Sequence, residues 1–197
     1  KGGEFSFQMP GDQSTRGSNV FVAGDKFEIQ STCHKRDLEG NMRSIDEAKK
    51  MADFVIVAHH FNIADGKRGD KVPMFVREFA HAAIDAGADI VMGHGPHFPL
   101  AIEFYQGKPV YYGLAMCCFI RSNKKAHRGW AGMAAHLTFE NKALSEAAFS
   151  IVRQNDAGEV LFSPANDEGD AIARMERLCA PFGTKLRVEG TRIIAEA

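Results

Sequence analysis

The chain has 197 residues, 45% of them hydrophobic and 25% charged, with a formal net charge of −1 and a pI near 6.8. That profile excludes intrinsic disorder and supports a folded domain with a substantial core. It also argues against an electrostatically driven nucleic-acid binder, so no nucleic-acid partner is expected, although Arg121, Lys124, Lys125 and Arg128 form a candidate local basic patch. No apolar run approaches 18 residues, so no membrane span is expected in this chain.

Residues 1–42 are rich in Gly, Ser and Asp and read as loops, with one short apolar run at Asn19–Ala23. Ser44-Ile45-Asp46-Glu47 has the form of a capping box and predicts a helix over 45–51. The run Asp53–Ala58 is short, apolar and β-branched, as in a strand buried on both faces, so Val55 and Ile56 are expected in the core. It ends at His59-His60-Phe61-Asn62, and a polar loop over 63–71 follows. Val72, Phe75, Val76, Phe79, Ala82, Ala83 and Ala86 then fall at helical spacing. Pro73 suits the first turn of that helix, and Gly87 suits the position just past its end.

A second short strand over 88–92 runs into Gly93-His94-Gly95-Pro96-His97. Strand, helix and strand make a βαβ unit, which puts the two strands parallel and both histidine segments at their C-terminal ends. A hairpin over 101–105 and 108–112 comes next, turning at Gln106-Gly107. Strands are predicted over 134–139 and 145–152, a helix capped by Asp167 and running to Cys179, and final strands over 185–188 and 192–195.

Cysteines 33, 117, 118 and 179 fit no zinc-binding spacing and read as free thiols, which favours a reducing compartment. The chain opens at Lys1 without an initiator Met, so the lack of a signal peptide says nothing about where the full protein goes.

The chemistry centres on residues 93–97. Two imidazoles three positions apart on a Gly/Pro turn can converge on one point, and His60, at the end of the neighbouring strand, can join them. Imidazole suits Zn, Mn, Fe or Ni, and three histidines are enough to anchor one ion with a position left open. By strand alternation His59 points the other way, into the core, and His81 is a packed or half-exposed helical residue. Lys67, Arg68 and Lys71 are candidate contacts for an anionic substrate. His34, His127 and His136 have no partner that the sequence can name.

Three segments carry a family resemblance: ADFVIVAHHFN over 52–62, FAHAAIDAGADIVMGHGPH over 79–97 and AIEFYQGKPVYYGLAMCCF over 101–119. In this order they resemble the second half of the CapA-like domain of poly-γ-glutamate or capsule synthesis, within the calcineurin-like metallophosphoesterase superfamily. The resemblance implies an α/β fold, the C-terminal half of a sandwich of two mixed β-sheets flanked by helices. All of 1–197 would then form one domain: a loop-rich 1–42, a βαβ core with its hairpin over 44–119, and strands with a C-terminal helix over 134–197.

The resemblance also implies that His60, His94 and His97 are both catalytic residues and metal ligands, with His60 and His94 sharing one divalent ion (Mn, Zn or Fe) and His97 lying near a second. A metal-bound hydroxide would attack a phosphoester or a γ-glutamyl-type polymer. The family is often associated with the cell envelope. Two departures stand out. The carboxylate motifs of the N-terminal half are absent, so this chain cannot complete a two-metal cluster, and a metal-free form is one expectation. The family's SLGNF is replaced by Gly113-Leu114-Ala115-Met116-Cys117, without the asparagine. These departures raise an alternative: a non-catalytic component of a polymer synthesis or export assembly.

Overall fold

The computed structural model describes residues 31–62, 71–117, 132–155 and 157–197. The apolar run 19–23, Lys67 and Arg68, Cys118, the basic group over 121–128 and His127 lie outside these residues.

The first helix, α1 (Lys35–Met51), begins well before the capping-box serine. Ser44 sits inside it, its Oγ bonded back to the Gly40 carbonyl at 3.3 Å, so residues 35–42 are helical rather than loop. Strand β1 (Ile56–His60) follows, then α2 (Met74–Asp85) and β2 (Ile90–His94). Pro73 takes the N-cap position of α2. Gly87, just past its end, has φ +109°, a conformation that favours glycine. Strands β3 (Ile102–Tyr105) and β4 (Lys108–Tyr111) form the expected hairpin.

These four strands make one sheet in the order β1-β2-β4-β3, with β1 parallel to β2 and β2 parallel to β4. Helix α2 buries Val76, Ala80, Ala83 and Ile84. Each larger aliphatic side chain so covered contributes about 1.5–3 kcal/mol. Among the described residues β1 pairs only with β2 and stands at the sheet edge. Its residue Ile56 is 54% exposed while Val55, just before it, is 7% exposed. The expectation that Ile56 is core is thereby corrected: Ile56, Ala58 and His60 lie on the face of β1 that stays exposed among the described residues.

Strands β5 (Gly132–Glu140), β6 (Ala143–Gln154), β7 (Val160–Phe162), β8 (Lys185–Glu189) and β9 (Arg192–Glu196) form the second sheet. Its order is β5-β6-β9-β8, with β7 also on β6, and every pairing is antiparallel. The expected pair of mixed sheets is therefore one mixed sheet and one antiparallel sheet, because short turns join most of its consecutive strands. Helix α3 (Gly169–Cys179) has Glu168 at its N-cap, one residue beyond the expected cap at Asp167. Arg153 of β6 grips the buried Glu168 carboxylate with two donors and so fastens α3 to the second sheet.

The two sheets share one buried cluster, with Val91, Ile102, Val110 and Tyr111 from the first and Met133, Phe149, Ile151 and Ile193 from the second. The Tyr111 hydroxyl crosses between them and donates to the Ala148 carbonyl at 2.9 Å.

Candidate functional site

The parallel register pairs Ile56 with Ile90 and ends by pairing His60 with His94. Register partners on neighbouring strands share a face, so these two histidines stand side by side on one face of the sheet. The Phe61 amide donates to the His94 carbonyl at 3.0 Å and closes the pair of strand ends. His60 is exposed and His94 is half-buried.

His97 is exposed and lies three residues on, beyond Gly95 and the buried Pro96. Gly95 has φ +104°, and a Cβ there would lie 1.8 Å from the Phe61 carbonyl oxygen. Only glycine permits that approach, which brings the turn down onto the end of β1. At Gly93 a Cβ would lie 2.0 Å from the Tyr112 carbonyl oxygen.

Both stems of the turn rest on the segment that follows β4. The Leu114 amide donates to the Gly93 carbonyl at 3.0 Å, and the Leu100 amide to the Gly113 carbonyl at 3.0 Å. Arg174 of α3 adds a bond from Nη1 to the Pro99 carbonyl at 2.8 Å.

His59 faces the other side, as alternation predicts. Its ring stacks on Phe79 of α2 with centroids 4.1 Å apart, near Phe61 and Phe75. Burial, with some help from the neighbouring His60, pulls its pKa down to about 4. His59 is therefore a neutral packing residue at ordinary pH.

The sequence did not single out Glu103. This acid of β3 is only 6% exposed. It accepts a hydrogen bond from the Tyr112 hydroxyl. His81 Nε2 lies 3.1 Å from its Oε2, and Arg77 Nη2 lies 3.4 Å from its Oε1. The His81 ring stacks on Tyr105 with centroids 3.7 Å apart. One signal was available: an acid between Ile102 and Phe104 in a strand otherwise expected to be buried needs partners. His136 pairs with Ser150 Oγ at 2.9 Å, and His34 with Asp37 at 3.2 Å on the surface. Lys71 is exposed. Cys33, Cys117 and Cys179 are free thiols.

A metal centre needs three or four protein donors. Among the described residues no group of three or more His, Cys, Asp or Glu side chains is placed to hold an ion. His60 and His94 stand in register, and the described residues complete no metal centre by themselves.

Residues 6–118, more than half of the chain, match the family described as "Bacterial capsule synthesis protein PGA_cap". The chain belongs to this family. It is 43% identical over 76 residues to "PGA biosynthesis protein CapA" of Bacillus subtilis, covering 38% of this chain and 19% of that protein. It is 36% identical over 75 residues to "Capsule biosynthesis protein CapA" of Bacillus anthracis, covering 38% and 17%. It is 37% identical over 79 residues to "Uncharacterized protein y4sH" of Sinorhizobium fredii, covering 40% and 17%. The matched stretch thus spans less than a fifth of the length of each of these relatives. The CapA-like resemblance carried by residues 52–119 is a true family relationship. No helix among the described residues is long and apolar enough to cross a membrane.

Proposed function

We propose that this chain takes part in the synthesis of poly-γ-glutamate or a related capsule polymer, and that His60, His94 and His97 form its working edge. The observation that carries the reading is the register pairing of His60 with His94 at two parallel strand ends, with His97 three residues beyond His94. The printed names of the CapA relatives support the process.

Within it, the reading is a calcineurin-like, metal-dependent hydrolase or transferase acting on a phosphoester or an anionic γ-glutamyl polymer. His60 and His94 would supply two donors to a Mn, Zn or Fe ion, with the remaining donors coming from outside the described residues. A bound divalent ion supplies charge stabilisation at the reacting centre. The protein's own part is to hold two imidazoles in register on rigid strands and a third on a tight turn.

The test is elemental analysis of the full-length protein purified with its metal, beside the His94→Ala/His97→Ala double variant. The expected result is bound Mn, Zn or Fe in the parent and its loss from the variant, with an unchanged melting temperature. Equal metal content in both would overturn the assignment.

A second reading, a non-catalytic component of a polymer synthesis or export assembly, draws on Ala115 and Met116 standing where the family pattern carries Gly and Asn. Binding of poly-γ-glutamate without turnover of a phosphodiester by the metal-loaded protein would favour it.

A further inference from the structure

We infer that Glu103, acting through Tyr112, is a positioning residue for the histidine turn. The inference rests on the proposal that His94 and His97 are the working groups.

The turn is a loop with two stems, Gly93 and Leu100. Both stems are hydrogen-bonded to the same three-residue segment, 112–114: the Leu114 amide donates to the Gly93 carbonyl, and the Leu100 amide donates to the Gly113 carbonyl. Tyr112 also donates its amide to the Ala101 carbonyl at 3.0 Å, and the bridge between Pro99 and Leu114 extends the contact toward the turn. Segment 112–114 is therefore the base on which the turn stands. A Cβ at Gly93 would lie 2.0 Å from the Tyr112 carbonyl oxygen, so the two backbones approach too closely there for any side chain.

Tyr112 is 1% exposed, and its hydroxyl is fixed by Glu103. Glu103 is in turn held by two groups from α2, His81 at 3.1 Å and Arg77 at 3.4 Å. Arg77 also lies 5.3 Å from the centroid of Phe182, whose ring contacts Tyr112. The Tyr112 side chain and the Glu103 cluster lie on the α2 side of the sheet, whereas His60 and His94 face the other side. Glu103 thus reaches the histidines only through the backbone of 112–114. A buried carboxylate with three partners is costly to form and rigid once satisfied, and that rigidity is delivered where the two stems meet.

The experiment uses the chain free of metal, so that its outcome does not depend on metal binding. Tyr112→Phe keeps the ring and removes only the hydroxyl. Amide hydrogen exchange at Leu100 and Leu114 is expected to rise about tenfold, the effect of losing one hydrogen bond's worth of local stability. Amides of β6 and β9 should stay at parent rates. The imidazole proton signals of His94 and His97 should move, while those of His34 and His136 stay in place. Glu103→Ala should have the same effect, and Glu103→Gln, which keeps an acceptor for Tyr112, should restore most of the protection.

A lowered melting temperature with a uniform rise in exchange and unmoved His94 and His97 signals would overturn the inference, since the network would then be packing alone. If the signals move as expected but the double histidine variant keeps its metal, the positioning stands and the functional reading falls.

Discussion

The His59 imidazole stacks against Phe79 with its Nδ1 buried and without a hydrogen-bond partner among the described residues. A charged ring there is disfavoured, which is why its pKa falls to about 4. The unfolded chain takes up this proton near pH 6.5 and the folded chain only near 4. The stability contributed by neutral His59 is therefore complete above about pH 6.5, declines as the pH falls toward 4, and is spent below that. Allowing for partial solvent access, the loss is on the order of 2 kcal/mol. Denaturant unfolding from pH 7 to pH 4 should show it, and His59→Leu should flatten that part of the curve. An unchanged slope in the variant would mean that other groups carry the acid sensitivity. Which of the two adjacent histidines faces the core was legible, because side chains alternate along a strand. The role of Glu103 was not, because its three partners lie 9, 22 and 26 residues away.

At the scale of elements, β1 is a test of what an apolar run can tell. The run 53–58 reads as a strand buried on both faces, and a strand does form there, displaced toward His60. Val55→Ala is expected to cost about 1–3 kcal/mol, as a buried truncation does. Ile56→Ala, at a site 54% exposed, should cost no more than about 0.5 kcal/mol. Equal costs in urea unfolding would show that the outer face of β1 is covered in solution. Helix α1 was half-legible for a different reason. It buries only Ile45, with Met42 and Ala48 packed beside it, so its first turns carry almost no apolar stripe. Strand β7 escaped notice because Val160, Leu161 and Phe162 are all exposed and show no alternation of burial.

At the scale of the whole molecule, the two sheets meet over a common core that is crossed, among the described residues, by a buried side-chain hydrogen bond from Tyr111 to Ala148. Tyr111→Phe keeps the ring and removes the bond. It should lower unfolding stability by about 1–2 kcal/mol while leaving the far-ultraviolet circular dichroism unchanged. A variant as stable as the parent would show that apolar packing alone joins the sheets. Membership of the capsule-synthesis family was legible from residues 52–119, because an ordered series of segments survives translation into strands and turns without knowledge of contacts. The βαβ unit, the glycine turn and the placing of both histidine segments at the C-terminal ends of strands could be read without coordinates, since periodicity, turn residues and right-handed connection are local rules. It took the fold itself to reveal that His60 and His94 fall in register, that β1 stands at an edge among the described residues, that the second sheet is antiparallel, and that Glu103 bonds the Tyr112 hydroxyl. Register, edges and buried polar partners depend on residues distant in the chain, and local patterns hold no record of them.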